Sequence, residues 1–202
     1  PVPEGTTPDY TMEKERVTDA PAKKDAHKFG FFHGDLVTYE VTVKNTGDTT
    51  ITMDVDDAFE IPENFTTPVV KAVRFYDTKT GYQNSSKGTL NAIDGSKANV
   101  TILAGGHVVL TYEAQVLDNA KESLSDAAKD DGKGYLNTAT TTNVFTTYYE
   151  YSGEDHDGDG KGDAKTEVTK QLEDKKDDAN TPVQEPKPEE PTPSYVMDKE
   201  RI

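Results

Sequence analysis

Between Leu36 and Asp56 the chain alternates apolar and polar residues, and that pattern dictates its fold class. Val37, Tyr39, Val41 and Val43 interleave with Thr38, Glu40, Thr42 and Lys44. Beyond Asn45-Thr-Gly-Asp48, Ile51, Met53 and Val55 interleave with Thr52, Asp54 and Asp56. Side chains on a strand point to opposite faces in turn, so a period of two marks strands with one dry and one wet face. The Asn-Thr-Gly-Asp segment reads as the turn of a hairpin joining them. Further strands are expected at Tyr10–Arg16, in VVKAVRFYD after Pro68, at Val100–Leu103, and from Val108 to Val116 behind the Ala104-Gly-Gly106 turn. Tyr135–Thr142, Val144–Tyr151 and Lys165–Leu172 complete the set, the last pairing with the strand before it. Seven or more short strands with turns between them favour an antiparallel sandwich. Two departures from pure β are expected: a loop at 18–29, and a short helical insert from Asp118 to Asp130, with Asp118 or Asn119 as N-cap and Gly132 as stop.

The opening of the chain returns near its end. PVPEGTTPDYTMEKERV at 1–17 and PKPEEPTPSYVMDKERI at 186–202 share ten of seventeen residues at an offset of 185. A period of that size is a domain repeat, since solenoid units run to roughly 20–50 residues. The organisation expected is a Pro-rich linker at 1–9, a sandwich at 10–181, a second linker at 182–193, and the first strand of the next repeat at 194–202. Residues 173–181, though counted within the sandwich, share the charged composition of the second linker.

With 32% apolar residues and a net charge of −16, the chain carries a strongly acidic surface, which argues against nucleic acid and anionic membrane as partners. No apolar run approaches the ~20 residues of a membrane span. Cysteine is absent, so neither a disulfide nor a thiolate metal site is available. A chain of this kind outside the cell needs another staple.

GDLVTYEVTVKNTGDTTITMDVDDAF, VTILAGGHVVLTYEAQV and YLNTATTT, in that order, resemble the repeat domain of Gram-positive cell-surface proteins. The match is spread over about residues 10–142. The loop at 18–33 and the insert at 118–131 depart from the common pattern. The resemblance implies an all-β, Ig-like or adhesin-type antiparallel sandwich in an extracellular, wall-associated stalk. It also implies an intramolecular isopeptide bond between a Lys of the first strand and an Asn of the last, promoted by an acidic residue.

Side-chain parity tests that implication. Lys14 shares a face with Tyr10 and Met12, Asp57 with Ile51, Met53 and Val55, and Asn137 with Tyr135 and Ala139. Three polar residues thus fall on apolar faces, where each must find a partner. Lys14 and Asn137 are the expected cross-link, with Asp57 the promoting acid and Asp56 its substitute should a bulge shift the register. The residues alone also allow a plainer arrangement, with Lys14 snorkelling at a strand end and the other two serving turns.

Asp155-His-Asp157-Gly-Asp159-Gly160-Lys-Gly-Asp163, within the acidic loop at 154–167, matches D-x-D-x-D-G-x-x-D. Carboxylates at positions 1, 3, 5 and 9 and the Lys161 carbonyl at position 7 form an oxygen cage suited to Ca²⁺. The run resembles EF-hand-like and thrombospondin-type calcium loops, but position 12 is Thr166 and Glu167 comes one residue late. His156 reads as a bystander.

The leading function is therefore a structural stalk module whose partners are neighbouring repeats of the same chain. The alternative is an adhesin domain binding a host matrix protein or glycan through loops 61–99 and 145–165, with Tyr148, Tyr149 and Tyr151 as a face. No constellation for turnover catalysis is present; the cross-link is a single-turnover reaction.

Overall fold

The computed structural model describes residues 7–24, 26–156, 158 and 160–184. The second copy of the opening motif at 194–202, most of both Pro-rich linkers, and Asp157 and Asp159 lie outside the described residues. Among the described residues twelve strands run in order: β1 (Tyr10–Arg16), β2 (Ala22–Lys23), β3 (Lys28–Phe29), β4 (Leu36–Asn45), β5 (Thr50–Phe59), β6 (Val69–Asp77), β7 (Gly88–Asp94), β8 (Lys97–Ile102), β9 (Gly106–Gln115), β10 (Tyr135–Ser152), β11 (Ala164–Gln171) and β12 (Lys176–Thr181). β1-β4-β9-β6 form one antiparallel sheet. The second runs β11-β10-β5-β8-β7, with β12 also on β10, and β2-β3 make a small separate ribbon.

The two sheets close on the apolar parity of their strands. Val37, Tyr39, Val41 and Val43 of β4, and Val108, Leu110 and Tyr112 of β9, are fully buried. They meet Ile51, Met53 and Val55 of β5 and Ala98, Val100 and Ile102 of β8. The expected sandwich is therefore the observed architecture.

Its connectivity differs from the expected hairpin. β4 and β5 do not pair: β4 lies between β1 and β9, and β5 between β10 and β8. The Asn45–Asp48 segment is an arch that carries the chain from one sheet to the other. Asn45 is buried there, its amide donating to the carbonyls of Thr49 (2.6 Å) and Ile102 (3.0 Å), which ties the two sheets at the crossing. Gly47 has no positive φ. It is required instead because a Cβ would collide with the backbone of Thr7 and Asp9, whose chain lies across the arch.

Three further differences matter for the site. Residues 118–130 form no helix; they are held as irregular chain by bridges from Ser123 to Val183 and from Ser125 to Phe29. Arg16 binds this insert to the body, donating to the carbonyls of Ala128 (3.1 Å) and Asn180 (2.8 Å). The strands expected at 135–142 and 144–151 are one strand, β10, with a bulge where Asn143 takes φ 52. The charged stretch from residue 173 yields β12, which pairs with the first half of β10, and Thr181, Val183 and Gln184 are buried. The sandwich thus extends past 181, through residues expected to be linker. Charge misleads here because an edge strand buries only alternate residues: Ala179 and Thr181 point inward while Lys176 and Asp178 face water.

Candidate cross-link site

β1, the edge strand of its sheet, aims Lys14 inward from its middle. Across the sandwich, Asp57 is the fourth inward residue of β5 in line with Ile51, Met53 and Val55, and Asn137 enters from the start of β10. Asp57 lies opposite Ala139, so Asn137 occupies the diagonal position two residues along the same face, within side-chain reach. The side chains of Lys14 and Asp57 and the whole of Asn137 have no solvent exposure. The three residues singled out by parity thus share one dry chamber. Asp56 points to the outer face, bonded to Ser96, and no bulge brings it inward. β1 and β10 belong to different sheets, so a bond between Lys14 and Asn137 would staple the sheets face to face; the two strands do not lie side by side.

Lys14 Nζ forms an ion pair with Asp57 Oδ1. Burial pulls the Lys14 pKa below its ordinary value, against the opposing attraction of Asp57 and, farther off, Asp177 and Asp178. Burial also pushes the Asp57 carboxyl up, while Lys14 and the Asn137 amide act to lower it. Both shifts favour the neutral form of each partner. The Asn137 amide is near enough to influence Asp57, yet it makes no well-directed hydrogen bond. Its oxygen, its nitrogen and Asp57 Oδ2 are all without a partner. Buried amide atoms in that condition cost about 1–3 kcal/mol, and native cores hold few of them.

Aromatic rings keep water out. The Tyr39 ring lies 4.6 Å from Lys14 Nζ and meets Phe59 edge-on; Phe59 stacks on Phe65, and Phe65 meets Tyr135 edge-on. Tyr39 bonds to Thr181, and Tyr112 donates to the Val55 carbonyl at 3.2 Å. Burial raises both phenols well above their ordinary value, so they stay protonated and add no competing charge. Tyr39 already stood on the dry face of its strand in the sequence. Asp177 had no such signal, since it lies in the linker-like stretch; its carboxylate accepts the Lys14 backbone N–H at 2.6 Å and fixes β1 against β12.

The acidic loop sits at the tip of the β10–β11 hairpin. Asp155 accepts the N–H groups of Gly158 (2.7 Å) and Gly160 (2.8 Å), so the loop curls around that carboxylate. Asp163 pairs with His156 at 2.6 Å, and Lys161 lies over the Tyr151 ring. Thr166 is inside β11 opposite Glu150, and Glu167 accepts the Tyr149 hydroxyl, so neither closes the loop as a bidentate ligand. Among the described residues no group of three or more carboxylate or imidazole side chains converges on one point. Of the three tyrosines, Tyr148 is buried, whereas Tyr149 and Tyr151 face outward beneath Lys165 and Lys161. The 61–99 region, expected as loop, includes β6, β7 and the start of β8.

No family model and no curated protein matches the chain. Solved structures similar to it include the major pilin subunit of Bacillus cereus, at 13% identity and a TM-score of 0.43, over 87% of this chain and 40% of that one. The Streptococcus pneumoniae pilus protein is similar at 11% identity and TM-score 0.39, covering 87% and 36%. The backbone pilin of Streptococcus pyogenes is similar at 16% identity and TM-score 0.38, again 87% and 36%. The chain spans well under half the length of each of these pilins, and at such scores the likeness is one of general β architecture.

Proposed function

We propose that this domain is a structural stalk module of a tandem-repeat Gram-positive surface protein, stapled by an isopeptide bond between Lys14 and Asn137. The observation that carries the cross-link is the orphaned Asn137 carboxamide beside the buried Lys14–Asp57 pair. Transfer of the Lys14 proton to Asp57 leaves a neutral amine and a protonated carboxyl. The Asp57 O–H polarises the Asn137 carbonyl, and Nζ attacks Cγ. The amine proton passes through Asp57 to Nδ2, the Cγ–Nδ2 bond breaks and ammonia leaves. The product is a secondary amide, with Asp57 still protonated and donating to its oxygen. All three orphaned atoms are resolved at once: Nδ2 has gone, and the Asn137 oxygen and Asp57 Oδ2 can bond to each other. The packed core supplies the rate by holding the reactants at high effective molarity.

Intact mass tests the reaction. The folded protein is expected to be lighter than its sequence by one ammonia, and the Lys14→Arg variant to show the full sequence mass. A full mass for the folded parent protein removes the proposal. The stalk role draws on the tandem copy of the opening motif and on the resemblance to surface repeats, which together favour a domain outside the cell with neighbouring repeats as partners.

The acidic loop is proposed as a Ca²⁺ site, with Asp155, Asp157, Asp159 and Asp163 as carboxylate donors and the Lys161 carbonyl completing the set. The curl around Asp155 supports this reading, and the lack of a bidentate closing residue implies an affinity of about 0.1–1 mM, as in extracellular modules. Calorimetric titration with Ca²⁺ should show binding that Asp155→Ala abolishes; absence of heat and of any thermal shift would remove the site. The alternative role, a ligand-binding adhesin domain, retains only the outward Tyr149 and Tyr151, whose rings already carry lysines.

A further inference from the structure

Where the chain enters and leaves the domain sets what a cross-link can protect. Tyr10 lies opposite Asn45, and the Thr7 N–H binds Asp48, so the chain enters at the arch end of the sandwich. The last described residues sit at the other end, where Thr181 lies opposite Tyr135 and Gln184 binds Phe31 and Gly30. Load entering through β1 would reach Lys14 and cross to Asn137, bypassing residues 15–136. It would not leave at Asn137. Among the described residues, 138 to 184, 47 positions, still lie beyond the bond. They run up β10, around the hairpin tip, and back down β11 and β12.

These returning strands differ in how they are held. β11 is exposed along nearly its whole length and buries almost nothing. β12 is clamped: Asp177 holds the Lys14 backbone, Arg16 holds the Asn180 carbonyl, and Tyr39 bonds to Thr181. Tension on Gln184 pulls β12 against β10, with which it shares six register pairs.

We propose that residues 138–184 form a tether that lengthens under tension and folds back on release, with β12 as its latch, while residues 15–136 contribute no length. The tether presupposes the Lys14–Asn137 bond. It would make each repeat a force-absorbing link with a fixed maximum extension. At roughly 3.3–3.6 Å per residue, releasing 47 residues lengthens the chain by about 140 Å once the short folded separation is subtracted. Without the bond, residues 7–184 would lengthen by about 550 Å on the same scale.

Single-molecule stretching of this domain between marker domains of known length reads the difference. The parent protein, shown by mass to be cross-linked, is expected to give steps totalling about 140 Å and to repeat them after relaxation, and Lys14→Arg about 550 Å. Thr138 and Asp178 are register partners whose side chains touch at 2.8 Å, so the double variant Thr138→Cys with Asp178→Cys can lock the latch. Oxidised, it should lose the 140 Å extension; reduced, it should regain it. A cross-linked parent that shows no extension before the markers unfold overturns the tether and leaves the cross-link standing. A parent of full mass that extends by about 550 Å overturns both.

Discussion

Replacing Asp57 with alanine is expected to leave the domain at or beyond the edge of folding, and its mass undiminished by ammonia. Two losses combine. Without the carboxyl no group takes the Lys14 proton or polarises Asn137, so the bond does not form. A closed loop of more than 100 residues is worth about 5 kcal/mol in the chain-entropy account. The lysine then stays buried with no counter-charge, at about 3–5 kcal/mol. Together these match the whole 5–15 kcal/mol stability of a typical domain. The double variant Lys14→Met with Asp57→Ala separates the parts. It removes the stranded charge, so it should recover the second loss and none of the first. Denaturant unfolding of the two variants and the parent checks both. If Asp57→Ala unfolds like the parent and still loses ammonia, the role given to Asp57 is wrong.

Asn137→Ala should show the milder effect of losing the bond alone. The Lys14–Asp57 pair remains, so its stability falls by about 5 kcal/mol in the chain-entropy account. For a domain of this size that is a drop in Tm of roughly 10–20 °C. The unfolding slope in denaturant should also steepen, because the uncross-linked chain exposes more surface when it unfolds. Equal melting of parent and variant would mean that no covalent staple was present to lose.

The extent to which this site was legible in the sequence depends on what side-chain parity can carry. Parity placed Lys14, Asp57 and Asn137 on dry faces because the alternation of a strand is a property of consecutive residues, independent of which strand lies beside it. It could not assign neighbours. β4 and β5 alternate as the two arms of a hairpin would, and four turn-forming residues join them, yet they belong to opposite sheets. An arch and a hairpin share the same composition; the Asn45 amide, spanning to Ile102, is what distinguishes them. Helical composition at 118–130 was overridden by β bridges to Phe29 and Val183, which hold those residues in irregular chain. β12 was hidden because Lys176, Asp177 and Asp178 look like linker until β10 supplies their ladder.

The sequence by itself determined an all-β sandwich, the dry faces of its strands, and the three polar residues those faces carry. All of these are local, written in a period of two and in the intolerance of a core for unpaired charge. Only the tertiary structure decided that the three residues come from opposite sheets and share one chamber, and that β12, beyond the last of them, returns onto β10. Strand order depends on pairings up to 97 positions apart, as between Thr50 and Thr147, and the seat of Gln184 on its contact with Gly30, 154 positions away; no local pattern encodes either.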